Sequence, residues 1–533
     1  MANKKLFSIP AQKIQTINNS GSPAFALKDK EALAQLATTG CLSDTCYTTG
    51  ESQLKNVQVL VDRVSKTKDG CLFIAKLAVY ARQSAFMKDM PALLLSYLAV
   101  RSPEHYSQVF RKVISNGKML RNHVQMVRSG VIDGRKSLPR AMRRQINNWF
   151  QNRKSEQLFN DSVGNDPSLL DVIKMVHPKP RDKEQEALFA YLLGNRSFTG
   201  KQFKATFNDL PEIVRDYESV KMSLLSKEES NIKVPDVDFR MLDSLGLSDK
   251  HWGEIAENAP WHMTRMNLNT FARHNVFTNK RITNIVANRL RSKEEIKKAK
   301  VFPYQLLAAY TNATDIPHDV KEALQDAMEL AIDNIPEISG HVKILVDVSG
   351  SMSSPITGKA GHASSMRCLD VAALIAAALL RVNRHAEILA FDTQVHKFAF
   401  NGRDSVFTNS QKLSSFRGGG TDVSVGLQHI YGNKMEVDTI IIVSDNESNT
   451  SRWHSYNRTN SQDVWNKIKK QNPNVKMVCI DIQPYTTTQV ETDKSILNIG
   501  GFSDACFDVI ANFVNNKNST PNHWVEEIMK TEI

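Results

Sequence analysis

Apolar residues between about 25 and 300 recur at spacings of three and four with no sustained alternation of period two, a pattern that predicts a succession of helices. Residues 72–80 (LFIAKLAVY), 92–100 (ALLLSYLAV) and 187–193 (ALFAYLL) show it most clearly. No fixed repeat length is visible, so an array of irregular helix pairs of drifting length stays open. After about Asp333 the pattern changes. Strands are predicted at 342–348 (VKILVDV), 386–391 (AEILAF), 439–444 (TIIIVS) and 475–482 (VKMVCIDI), with an apolar helix from Met366 to about Arg381 and a polar helix near 463–470. Short β-rich runs alternating with helices predict a mainly parallel, doubly wound sheet. The expected fold class is therefore α plus α/β, with a helical domain at 1–335 and a doubly wound domain at 336–533.

A chain of 533 residues is too long for one hydrophobic core, and 41% hydrophobic with 23% charged residues is ordinary globular composition, so two or three domains fit. The opening MANKKLFSIP has lysines with no apolar stretch behind them, and the longest strongly apolar run, 371–380, falls far short of the roughly 18 residues of a membrane span. A soluble, unexported, cytoplasmic protein is expected. The six cysteines, Cys41, Cys46, Cys71, Cys368, Cys479 and Cys506, form no CxxC pair and no Cys/His spacing typical of zinc. They read as reduced thiols, a Cys41–Cys46 bridge being the weaker alternative.

The formal charge of +12 gains meaning once it is located. From His341 onward 19 Lys+Arg stand against 19 Asp+Glu, so residues 1–340 carry the whole excess. Residues 111–154 hold twelve basic residues and one acid, Asp133, a local net of +11. Such a surface attracts polyanions through counterion release, with nucleic acid the leading partner and a membrane surface the second. Inside this segment Ser137 is placed to cap a helix and Pro139 to open it. Met142, Ile146, Trp149 and Phe150 then fall on one face, while Arg140, Arg143, Arg144 and Asn147 point the other way. Arginine forks suit phosphate oxygens, and Lys118, Arg121, Arg128, Arg135 and Lys136 extend the patch. A merely solvated basic face is the usual reading of one amphipathic helix, but the near absence of acids favours RNA contact.

The strand at 342–348 runs into Asp347-Val-Ser349-Gly-Ser351, which places one carboxylate and two hydroxyls on a tight loop at the strand's carboxyl end, where doubly wound sheets bind ligands. Gly418-Gly419-Gly420 then presents Thr421, and the strand at 439–444 ends at Asp445. Few carboxylates, several hydroxyls and positions left to water suit one hard octahedral Mg²⁺ better than zinc. This is the pattern of a metal-ion-dependent adhesion site, DxSxS…T…D. Singly, Asp347 or Asp445 reads as a helix cap and Ser349 or Ser351 as turn filler; all five in order on three strand ends read as a metal site. A nuclease cluster of Asp347, Asp392 and Asp445 is disfavoured because hydroxyls dominate and no strong base stands nearby, His341 and His396 reading as surface or core histidines.

Residues along most of the chain, from Tyr47-Thr-Thr-Gly-Glu51 to Gly501-Phe502, carry a family resemblance. Ser129-Gly130 through Gly134-Arg135-Lys136-Ser137 to Arg140-Ala-Met142-Arg143 and Trp149 look like an SG…GRKSWGRAMR…W segment. LLDVIKMVHPKP at 169–180 is similar to an LLRLSHxKP element, RMNL at 265–268 to an LLRNL helix, and Phe302-Pro303 to Ala308 to an HPFxxLxA stretch. Gly419-Gly420-Thr421-Asp422, Ser444-Asp445-Asn446-Glu447-Ser448 and Gly501-Phe502 through Asp508-Val509-Ile510 complete the match. Together these resemble the Ro 60 kDa autoantigen family and its bacterial orthologues, a TROVE module followed by a von Willebrand factor A-like (vWA) domain.

The resemblance implies a ring of HEAT-like helical repeats closed by the vWA domain. It implies a small noncoding Y RNA on the basic outer surface, single-stranded ends of misfolded RNAs in the central hole, a link to an exoribonuclease, and a role in RNA quality control or decay. His177 of the HPKP element falls on the family's Y RNA surface, and Arg265 of the RMNL helix joins the RNA-contacting set. A ring closed within one chain implies a monomer. Between Trp149 and Leu169 the chain departs from the family: animal relatives carry several cations there, whereas Asn160 and Gly164 stand close to those positions. Either Y RNA docking is weaker or Arg153 and Lys154 substitute. No catalytic residue is assigned. The alternative function, from a different class, is a metal-dependent protein–protein adhesion or assembly module whose basic segment binds acidic proteins or membrane.

Overall fold

The computed structural model describes residues 16–533 except 41, 43, 166, 195–205, 227–233, 300, 302, 333–334, 357–365, 417, 449–459, 484, 502 and 517–518. Between Asp29 and Ala331 every α or β element among the described residues is helical. The three segments with the clearest helical spacing lie within helices Gly70–Gln83, Asp89–Arg101 and, apart from its last residue, Lys183–Leu192. Their apolar faces are buried against one another because a single helix can hide only a stripe, and stacked neighbours complete the burial.

The strands are β1 (Thr16–Ile17), β2 (Pro23–Ala26), β3 (Val342–Asp347), β4 (Ala386–Phe391), β5 (Val395–His396), β6 (Thr439–Ser444), β7 (Lys476–Asp481), β8 (Thr487–Thr488) and β9 (Ile496–Gly500). Six form one sheet in the order β5-β4-β3-β6-β7-β9, parallel throughout except for the antiparallel edge strand β5. The four predicted strands correspond to β3, β4, β6 and β7. Strands β5 and β9 were not foreseen from the pattern; β9, ILNIG, is short and interrupted by an asparagine. The long apolar helix spans Cys368–Val382 and the polar one Asn460–Gln471. One face of the sheet packs into the core that continues through the helical region, and the other packs under Val423–Gly432 and Asn460–Gln471 through Leu345, Ile440, Ile442, Leu427 and Trp465.

The two halves interlock at both ends. β1, β2 and β8 make a small antiparallel sheet, so residues assigned by pattern to the helical domain pair with the second half. Gln35 and Thr38 of helix Asp29–Thr39 donate to Asp481 Oδ2 (2.8 Å) and to the carbonyl of Gly500 (3.0 Å). At the other end Lys76 Nζ donates to the carbonyls of Met529 (2.8 Å) and Thr531 (2.6 Å). No helix among the described residues is long and apolar enough to cross a membrane. Cys46, Cys71, Cys368, Cys479 and Cys506 are free thiols; Cys41 lies outside the described residues.

Candidate metal centre and basic surface

Register brings two strand ends of the candidate metal site together. β3 and β6 pair in parallel with Val346 opposite Val443, so Asp347 and Ser444 leave the sheet side by side, and Ser444 Oγ donates to Asp347 Oδ2 at 2.6 Å. The chain turns at once: the Ser349 N–H donates to Asp347 Oδ1 at 2.9 Å, and the Ser349 and Ser351 hydroxyls lie 3.2 Å apart. Asp445 Oδ1 accepts from the Glu447 N–H at 3.2 Å. Thr421 arrives just ahead of helix Val423–Gly432, and its carbonyl accepts from Ser448 Oγ at 3.2 Å. Gly418 permits this approach, since a Cβ there would lie 1.9 Å from the Val348 carbonyl oxygen.

All five residues are buried, Asp347, Ser349, Thr421 and Asp445 at 1% exposure or less and Ser351 at 9%. Burial, followed by repulsion from Asp445, raises Asp347 well above the carboxylate range; burial raises Asp445 as well. No Lys, Arg or His among the described residues forms an ion pair with either carboxylate. Two buried carboxylates lacking a counter-cation, beside three hydroxyls, fit a hard divalent ion. Among the described residues no group of three or more His, Cys, Asp or Glu is placed to hold a metal ion, so an ion here would rest on the two carboxylates and the hydroxyls. Asp392 is turned to other work: it pairs with His396 at 3.1 Å and accepts from the Gln394 N–H at 3.0 Å. His341 lies at the surface beside Glu436 and Asp438.

The sequence reading missed two acids on this edge. Glu447 accepts from the Asn19 amide (2.9 Å) and the Ser20 N–H (3.2 Å), and burial raises its carboxyl to about 7. Asp481 is buried at the end of β7 between Gln35 and Asn446. Asn19, Ser20 and Gln35 lie more than 400 residues away from the acids they contact, so no local pattern announces these pairings.

In the basic segment, helix Arg140–Asn152 buries Met142, Ile146, Trp149 and Phe150 and exposes Arg140, Arg143 and Arg144. Its cap position is Pro139, which makes no side-chain cap, so Ser137 lies two residues ahead of the cap instead of filling it. Arg135, Arg140, Arg143 and Arg144 line a groove of about 750 Å³ with Ala99, Val100 and Pro103. Lys136, Lys118 and Arg128 are exposed as well.

Two of the predicted RNA contacts do other work. Arg121 shares the buried side of helix Gly117–Arg128 with Gly117 and Val124, one turn away on either hand. It is 5% exposed, and its guanidinium donates to the carbonyls of Asp161 and Val163, both at 2.7 Å. Counting charge along the sequence did not register that this position faces inward. Arg265 is half-buried and donates to the Gln305 carbonyl at 2.9 Å, bracing helix Trp261–Met266 against Pro303–Asn312. Of the suggested substitutes, Arg153 is engaged by Asp161 at 2.5 Å and stacks over Trp149, while Lys154 is exposed. His177 caps helix Leu169–Val176 in the left-handed region (φ 51°) and is exposed. It follows Met175, whose carbonyl accepts from Arg143 at 3.4 Å, so His177 and the arginine helix share one side of the molecule, along with exposed Lys174 and Lys179.

Residues 341–514 match the family described as Ro60 vWA domain. The chain is 20% identical over 524 residues to RNA-binding protein RO60 of Deinococcus radiodurans, covering 94% of this chain and 95% of that protein. It is 22% identical over 440 residues to RNA-binding protein RO60 of Caenorhabditis elegans, covering 71% and 66%. The crystal structure of the Deinococcus radiodurans Ro (RSR) protein superposes with a TM-score of 0.58 at 18% identity, over 91% of this chain and 99% of that one.

Proposed function

On the premise that this chain belongs to the Ro60 family through its vWA domain, we propose that it is an RNA-binding protein with no catalytic activity of its own. The observation that carries the reading is the exposed set Arg135, Arg140, Arg143 and Arg144 around one groove, with Lys136 exposed next in the chain and Asp133, the one acid of the segment, neutralised by Arg101. Guanidinium forks on a helix fixed by its buried face meet successive phosphates at small entropic cost, and released counterions drive the association. The partner is a small structured, Y-like RNA on this outer surface. Single-stranded ends of misfolded RNA enter the central hole of a HEAT-type ring, and the bound RNA connects the protein to an exoribonuclease in RNA quality control. The protein acts as a monomer in the cytoplasm.

The donor set fits Mg²⁺, which Asp347, Ser349, Ser351, Thr421 and Asp445 would hold. When bound, the ion supplies a Lewis-acidic position for an oxygen ligand from a partner. The residues' own part is to keep the site dry and to hold two carboxylates ready in a hydroxyl-bonded loop.

Crosslinking and sequencing of RNA bound in the protein's own cells, beside an Arg140/Arg143/Arg144→Ala variant, tests the reading. Recovery of one abundant hairpin-rich RNA plus fragments with single-stranded ends, both reduced in the variant, supports it. No enrichment over a mock sample removes it in favour of a metal-dependent adhesion module.

A further inference from the structure

The loop that carries Asp445 is bound by a turn from the far end of the chain. Residues 18–21 join β1 to β2, their shape fixed by the Asn18 N–H donating to the Ser22 carbonyl (2.8 Å), the Gly21 N–H donating to the Asn18 carbonyl (3.0 Å) and the Ser22 N–H donating to Asn18 Oδ1 (2.8 Å). From this frame the turn reaches Glu447 and Ser448. Asn18 Nδ2 donates to the Ser448 carbonyl at 2.8 Å, and the Ser20 hydroxyl lies 2.8 Å from the same oxygen. Glu447 accepts from Asn19 Nδ2 on one carboxylate oxygen (2.9 Å) and from the Ser20 N–H on the other (3.2 Å). Thr487 of β8 donates to Glu447 as well, at 3.3 Å, so the turn and β8 grip this carboxylate together.

Glu447 and Ser448 each lead directly to a residue of the metal site. The Glu447 N–H donates to Asp445 Oδ1, and Ser448 Oγ donates to the Thr421 carbonyl, both at 3.2 Å. Next to Asp445, Asn446 sits at φ 56°, a left-handed conformation uncommon for a residue with a side chain, and Gln489 holds its carbonyl at 3.1 Å. Resting on the metal reading above, we infer that Asn19 and Ser20 are positioning residues for the metal site: through Glu447 and Ser448, the β1–β2 turn fixes Asp445 and Thr421 in one arrangement. Coupling between two binding events is reciprocal. Metal binding therefore tightens the turn as much as the turn favours metal binding, and the ion fastens β1 and β2 to the vWA domain.

The test uses the full chain stripped of divalent ions. Mn²⁺ affinity is measured by titration calorimetry, and backbone amide exchange is followed by mass spectrometry with and without Mn²⁺. Asn19→Ala/Ser20→Ala removes the Asn19 amide and the Ser20 hydroxyl from an exposed and a half-buried position, while Asn18 still shapes the turn. The expected result is Mn²⁺ binding weakened about ten-fold, as for loss of a group that orients a ligand. In wild type, Mn²⁺ should slow exchange in the turn and β2 more than in the distant helix Lys280–Leu290, and the variant should lose that difference. Affinity equal to wild type overturns the inference while leaving the five-residue site standing. Slowing no greater in the turn than in Lys280–Leu290 reports general stabilisation and also overturns it. If wild type binds no Mn²⁺, or Asp347→Ala binds it as tightly, the underlying metal reading fails, and this inference with it.

Discussion

Arg101 holds Asp133 in a two-point contact, Nη2 to Oδ1 at 2.7 Å and Nε to Oδ2 at 3.1 Å, and the same guanidinium reaches Asp62 at 2.5 Å. The single acid of the basic segment is thus bound by a cation that lies outside it. Hydrogen bonding to Arg101 lowers the Asp133 carboxyl below its ordinary value, so it stays charged and neutralised.

Freeing that carboxylate should repel phosphate. Arg101→Ala is expected to weaken binding of a hairpin RNA about three-fold at low salt, and adding Asp133→Ala should restore it, a screened long-range effect. Fluorescence anisotropy at two salt concentrations measures both. Equal affinity in the single and double variants would place Asp133 outside the field felt by RNA.

The three arginines of helix Arg140–Asn152 should each contribute to the salt slope. In Arg140/Arg143/Arg144→Ala the slope of log affinity against log salt is expected to become shallower by about two to three units, at roughly 0.7–0.9 per lost phosphate contact. An unchanged slope would show that RNA docks elsewhere. Arg121→Met, by contrast, should reduce stability by more than it changes the slope, because its guanidinium braces Asp161 and Val163.

Asp347 and Asp445 are buried with no counter-cation among the described residues, an arrangement unfavourable without metal. Asp347→Asn should abolish Mn²⁺ binding in calorimetry and, in chelator, raise the thermal midpoint. A lower metal-free midpoint would mean that the hydrogen bonds from Ser349 and Ser444 outweigh the buried charge.

His123 is fully buried between Ser96 Oγ (2.8 Å) and the Tyr106 hydroxyl (3.2 Å), and burial pushes it down to about 4. The unfolded chain takes up this proton near pH 6.5, whereas the folded one does so only near 4. Between these values the unfolded state binds more protons, so stability falls as pH drops, by on the order of 3 kcal/mol across the window. Urea unfolding at pH 7 and pH 4.5 measures this, and His123→Phe should flatten the dependence. The same pH dependence in the variant would assign it to other groups.

Gly164 lies at φ +115°, and a Cβ there would sit 2.5 Å from Arg121 Nη2. Gly164→Ala should cost about 1–3 kcal/mol through backbone strain and displacement of the Arg121 brace. Chemical denaturation reads the loss; a neutral substitution would show that this loop relaxes freely.

Periodicity along the chain sufficed for much of the architecture, because amphipathic helices and buried parallel strands write their burial into local spacing. Met142, Ile146, Trp149 and Phe150 could be placed inward, and the strands ending at Asp347 and Ser444 placed on one sheet, before any coordinates. The sequence placed Asp347 and Asp445 at neighbouring strand ends for the same reason: parallel register carries β3 and β6 to one sheet edge. Tertiary structure alone decided what depends on contacts between distant segments. It turned Arg121 inward onto Asp161 and Val163, joined Arg101 to Asp133, paired β2 with β8, and set Asn19 on Glu447. Charge and spacing are properties of neighbours in sequence, whereas these pairings arise when one continuous core draws both ends of the chain together.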